Sequence, residues 1–156
     1  MLTRIWPALA AWGAGLLHLA VAAGCPPPVL LALAALGLAE LAWGAVVLHR
    51  GRLVMPRVVL GAAVAGVLVS TAVALGGGMG LIPLAAIIAL LLYIAAAAGL
   101  VLRDIAKGRP GRRSRPLVGL LLGACMVAAI TTPALALTGP GELAVPHGEL
   151  SGHHGH

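Results

Sequence analysis

Phenylalanine is absent from this chain of 156 residues, aromatic residues make up only 3%, and charged residues only 9%. A soluble domain typically carries about a quarter charged residues. The shortage of charge therefore excludes a soluble enzyme with a polar surface, and the 61% hydrophobic content excludes a disordered chain. Too few aromatics are present to form a base-stacking surface. Two cysteines, Cys25 and Cys125, lack C-x-x-C spacing and are too few for a disulfide framework. Lys107 is the single lysine, a bias that points to a GC-rich genome rather than to a function. The length suits one domain.

What is abundant is long apolar sequence, with a mean hydropathy of +1.08. A helix needs about 20 apolar residues to cross a bilayer. Five runs qualify, at about 5–23, 29–48, 57–75, 83–102 and 116–137. The expected fold is therefore all-α: a polytopic bundle of five transmembrane helices over residues 1–137, followed by a flexible tail over 138–156. Gly24-Cys25-Pro26-Pro27-Pro28, His49 to Pro56, Gly76 to Gly80 and Arg103 to Arg115 separate the spans. Pro28, Pro56, Pro83 and Pro116 suit helix openings, where the missing N–H is harmless. Ala22-Ala23-Gly24-Cys25 loosely resembles a lipoprotein cleavage site. A second span starts at once after Cys25, so residues 5–23 read as a retained helix.

The formal charge of +6 and pI near 11.2 would suit nucleic acid on a soluble domain. Here the ten cations instead fall before span one, around the second break and around the fourth. The first break, the third break and the tail contain none. Positive charge favours the cytoplasmic side. This places the N-terminus in the cytoplasm of a bacterial inner (cytoplasmic) membrane and the tail outside. The bilayer is then the surrounding medium, and no nucleic-acid partner is expected.

Small residues four apart let helices approach closely in lipid. Such stripes occur at Ala10, Ala14, His18 and Ala22, at Ala62, Gly66, Ser70 and Ala74, and at Gly119 and Gly123. They suit packing within the bundle, and one of them could mediate homo-oligomerisation. Counting depth at 1.5 Å per residue puts His18 at roughly 20 Å, level with Ser70, Thr71, Thr131 and Thr132. These residues form a candidate intramembrane polar layer beside an expected kink at Pro133. Glu40, Tyr93 and Cys125 fall at about 12–14 Å on the same count. Glu40 is the only acid within a span, and an intramembrane carboxyl is a functional candidate by default. Its ordinary reading is a protonated packing residue, and that of His18 a neutral histidine bonded to Ser or Thr. No haem is expected, since only His18 lies inside the bilayer and His49 sits at an end.

The tail carries an imperfect seven-residue repeat. Gly141 to His147 reads Gly-Glu-Leu-Ala-Val-Pro-His, and Gly148 to His154 reads Gly-Glu-Leu-Ser-Gly-His-His. Imidazoles with carboxylates suit Cu(II), Zn(II) and Ni(II), copper being bound most strongly by a given site. His147, His153, His154 and His156 are the candidate ligands, with Glu142 and Glu149 as oxygen donors. Cys25 and Met79 face the same side and, as soft sulfur ligands, tilt the choice towards copper. The bland alternatives are a solvated tail, a small residue at a helix end and a loop residue dipping into lipid.

Trp12 to His18, Leu38 to Arg50, Thr131 to Ala136, Val145 to Gly148 and the terminal histidines together resemble a group of small actinobacterial-type multi-span membrane proteins with a histidine-rich C-terminal tail. The Thr-Thr-Pro and Pro-His-Gly segments carry most of that likeness. The resemblance implies a small multi-span fold and a histidine-rich exterior end. The group has no established activity, so no catalytic residues carry over.

Three functions are open at this stage. The first is exterior binding of a transition metal, copper favoured over zinc or nickel, for acquisition, delivery or buffering. The second is a non-catalytic accessory or assembly subunit of a membrane metalloenzyme or respiratory complex. The third is a proton- or cation-coupled transporter using Glu40, although no duplicated half is evident. An enzyme is not expected: no Ser/His/Asp pattern, paired carboxylates, phosphate loop or H-E-x-x-H occurs.

Overall fold

The computed structural model describes residues 2–108 and 116–138. Within them lie five helices and no strand: α1 (Leu2–Ala22), α2 (Pro27–Arg50), α3 (Pro56–Leu75), α4 (Leu81–Ala106) and α5 (Pro116–Ala136). The all-helical expectation holds. By length and composition α2, α3 and α4 can each cross a membrane; apolar stretches at Trp6–Ala22 and Gly123–Ala136 are shorter.

The helix ends follow local chemistry. Pro27 and Pro56 open α2 and α3, where no intrahelical N–H partner is needed. Pro83 does not open α4. That helix starts earlier, at Leu81 after Gly80, because proline is tolerated anywhere in the first turn. It also runs past Leu102 to Ala106, carrying Arg103 and Asp104. Gly51 closes α2 in the left-handed region at φ 59°, which glycine adopts without a Cβ penalty. Met55 adopts φ 52° just before α3, the one described non-glycine residue there. It is exposed, so Met55→Gly should raise stability by about 1 kcal/mol by removing the left-handed penalty. An unchanged or lower melting temperature in detergent would show that no such strain exists.

Helix α1 sits at the centre and packs against α2, α4 and α5. Its sequence explains this, since Ala8, Ala10, Ala11, Ala14, Leu17, His18 and Ala22 are all buried. The small-residue stripe expected on α1 is therefore an internal packing face. On α3 the expected stripe is displaced. Ala62 is exposed and Ala74 only half-buried, and the buried face is Val59, Ala63, Gly66 and Ser70. That face packs mainly on α4, and its Ser70 also reaches His18 of α1. On α5, Gly123 is buried against the Trp6 ring of α1.

The tightest crossing joins α1 to α2. A Cβ on Gly15 would lie 2.8 Å from the Gly37 carbonyl oxygen, and one on Gly37 would lie 2.8 Å from the Gly15 oxygen. Pairing of Gly15 with Gly37, and of Trp12 with Leu41 and Gly44, makes the two helices antiparallel. By similar pairings α4 runs antiparallel to α1, and α5 runs parallel to it. Helices α2 and α3, in contrast, make no extensive contact with each other.

Candidate functional site

Three polar residues of the apolar helices each follow a glycine by one helical turn on the same face: His18 after Gly15, Glu40 after Gly37, and Ser70 after Gly66. The glycines permit close backbone approach, and the polar groups meet beside them. A Cβ on Gly37 would stand 3.2 Å from the His18 Cβ.

His18 is fully buried and both ring nitrogens are engaged. Nδ1 lies 2.8 Å from Glu40 Oε2, and Nε2 lies 2.9 Å from Ser70 Oγ. The Ser70 hydroxyl itself donates to the Gly66 carbonyl at 2.8 Å. The histidine tautomer follows from where that one hydroxyl hydrogen lies. While it is used on Gly66, Oγ accepts from Nε2–H. Nδ1 and Oε2 then need one proton between them. It sits either on the carboxyl, with a neutral imidazole accepting, or on the imidazole, facing a carboxylate. Both forms are net neutral. Without that proton two lone pairs would oppose each other at 2.8 Å. The cluster is thus a proton-holding pair, oriented by Ser70 and spanning α1, α2 and α3.

Glu40 is 12% exposed at its side chain, and its bond to His18 uses only Oε2. It lines a cavity of about 210 Å³ between α2 and α3, floored by Ala11 of α1 and by Leu91 and Ile94 of α4. The remaining lining is Leu36, Ala39, Trp43, Val58, Val59, Ala62 and Ala63. Glu40 is the one ionisable residue in that wall. Trp43 donates its indole N–H to the Val54 carbonyl at 3.2 Å, which ties the end of α2 to the approach to α3.

Depth counting separated Glu40 from His18, and the structure joins them. Helical side chains lean towards their own N-terminus. On antiparallel helices His18 and Glu40 lean towards each other, closing an offset of roughly 6–8 Å on that count. The other expected layer members do not join the cluster. Thr71 bonds back to the Val67 carbonyl at 2.8 Å, and Thr132 is exposed. Thr131 is buried between α1 and α5 with no partner for its hydroxyl. Tyr93 packs against Trp6 with ring centroids 6.3 Å apart, and Cys125 is exposed. Helix α5 continues through Pro133 to Ala136.

Cys25 meets the loop that carries Met79, through Gly78 rather than through Met79 itself. Cys25 Sγ lies 3.6 Å from the Gly78 carbonyl oxygen, and Met79 is buried in the core rather than dipping outwards. His147, His153, His154, His156, Glu142 and Glu149 lie outside the described residues. Among the described residues no three His, Cys, Asp or Glu side chains are grouped to hold a metal. Sequence reasoning missed Gly15, Gly37, Trp43 and the Gly66 carbonyl. The glycine one turn before His18, Glu40 and Ser70 was the available signal.

Comparison of the chain with known protein families, with curated proteins and with solved structures finds no match. The functional reading therefore rests on the site's own chemistry.

Proposed function

We propose that this is an integral protein of the bacterial cytoplasmic membrane and that His18 and Glu40 hold the proton of a proton- or cation-coupled transport cycle. Five helices would cross the bilayer, with the N-terminus inside and the tail outside. Three long apolar helices support the membrane reading. Arg50, Arg52, Arg57, Arg103 and Lys107 lie in or beside helix ends that the antiparallel packing brings to one side, which supports the orientation. The observation that carries the function is the 2.8 Å His18–Glu40 contact, which needs one shared proton and reaches a cavity through Glu40.

Glu40→Gln tests it. A glutamine amide can still donate N–H to Nδ1, so the bundle should fold, but it cannot release that proton. Proton flux into liposomes carrying the protein, read with an enclosed pH-sensitive dye, should fall by about a hundredfold, as when a proton-transfer group is removed. Equal flux for the two proteins would refute the role of Glu40.

A second reading, exterior binding of copper, zinc or nickel, is favoured by the meeting of Cys25 with the Gly78–Met79 segment on the side to which the histidine tail is assigned. A chain truncated after Thr138 should lose the tighter Cu(II) site in a calorimetric titration. Equal binding by both chains would remove the tail as the site.

A further inference from the structure

The cavity beside Glu40 has a chemistry that selects its occupant. Its walls are apolar apart from the carboxyl, and Ala39, Val58 and Ala62 along them are exposed, so it opens sideways from the bundle. In the proposed membrane setting that opening meets lipid. Oε2 of Glu40 is held by His18, whereas Oε1 has no hydrogen-bond partner among the described residues and is not fully enclosed.

In both proton arrangements of the pair Oε1 is an acceptor. With the proton on Oε2 it is the carbonyl oxygen, and with the proton on Nδ1 it belongs to a carboxylate. A bound molecule must therefore bring a donor. An ammonium group would add a positive charge to a net-neutral pair inside an apolar cavity, at a large desolvation cost. A hydroxyl adds none. The space is also sufficient, since an apolar cavity of about 150 Å³ in another protein takes benzene. At about 210 Å³ this one has room for a single ring with a small substituent.

We infer that the cavity between α2 and α3 binds a neutral, lipid-soluble molecule of the phenol class, whose hydroxyl donates to Glu40 Oε1. This deepens the proton-coupled reading and rests on it for its biological sense, because the ligand hydroxyl would then stand at the carboxyl that exchanges the proton. Binding itself needs only the cavity and the acceptor.

Trp43 in the cavity wall supplies the readout. The full-length protein in detergent micelles is titrated with 4-bromophenol and with 4-bromotoluene, whose bromine quenches a nearby indole. Saturable quenching is expected for the phenol, with an affinity about tenfold above the toluene, the worth of one hydrogen bond. The quenching should vanish in Trp43→Phe, and Ala62→Phe, which fills the cavity from α3, should block it. Ala39→Phe does the same from α2 if the first variant fails to fold. Glu40→Leu should bind both probes alike. Glu40→Gln keeps an acceptor oxygen towards the cavity, so it should retain phenol binding while losing proton flux, which separates the two claims. Non-saturable quenching, equal for both probes and indifferent to Ala62→Phe and Ala39→Phe, would overturn the inference, whatever the flux measurement shows.

Discussion

Gly37→Leu should collapse the α1–α2 crossing and lower the melting temperature in detergent by about 10 °C, corresponding to about 3 kcal/mol at a few degrees per kcal/mol. The added side chain would begin 2.8 Å from the Gly15 carbonyl oxygen, which is backbone and cannot rotate away. It would also press on Leu19 and on the His18 Cβ, at 3.1 and 3.2 Å. In lipid, helices associate largely through close packing rather than hydrophobic exclusion, so a lost close approach has no easy substitute. The effect should extend to function, because Gly37 lies one turn before Glu40 and sets its distance from His18. Gly61→Leu is the matched control: a Cβ there meets nothing within 4 Å. Its melting temperature, followed by circular dichroism, should stay close to that of the unmodified chain. Similar melting of the two variants would show that the Gly15–Gly37 approach does not hold the bundle together.

His18→Leu should destabilise the protein by about 3 kcal/mol, the lower end of the loss on breaking a buried pair from one side. The lower end applies because Glu40 reaches the cavity and is not wholly enclosed. The substitution strands the Glu40 carboxyl and removes the donor on Ser70 Oγ, while Ser70 keeps its bond to Gly66. Adding Glu40→Leu to the same chain should restore most of the stability, since replacing both partners by apolar groups is often close to neutral. Proton flux should be lost in the single and the double variant alike. Thermal unfolding in detergent and liposome flux, measured on both, separate a pair kept for proton handling from one kept for folding. A single variant as stable as the unmodified chain would mean that His18 and Glu40 are not coupled.

The helices were largely legible because apolar length and proline-glycine punctuation act locally. Even Pro83, which falls inside the first turn of α4 rather than at its start, moved a boundary by only two residues. His18, Glu40 and Ser70 were each legible as unusual, since a polar side chain within an apolar run stands out whatever its neighbours. Their association was not. Rise per residue fixes where a Cα lies along one helix, but it omits the lean of the side chain and the angle at which helices cross. The α3 face was misread in part, at Ala62 and Ala74, for a related reason: alanine and glycine are so frequent here that several small-residue stripes fit, and the positions of α4 and of His18 on α1 select Val59, Ala63, Gly66 and Ser70.

The shortage of charge and the long apolar runs thus determine the helical class and carry the membrane reading, whereas the absence of phenylalanine bears on neither, because apolar length and helix punctuation are properties of consecutive residues. The histidine repeat and the asymmetry of the arginines are likewise written along the chain. Tertiary structure alone decided that Gly15 meets Gly37, that Glu40 bonds His18 rather than joining Tyr93 and Cys125, and that α2 and α3 stand apart around a cavity. Those contacts join residues 22 and 52 positions apart, and they depend on how three separate helices pack, which no single stretch of sequence encodes.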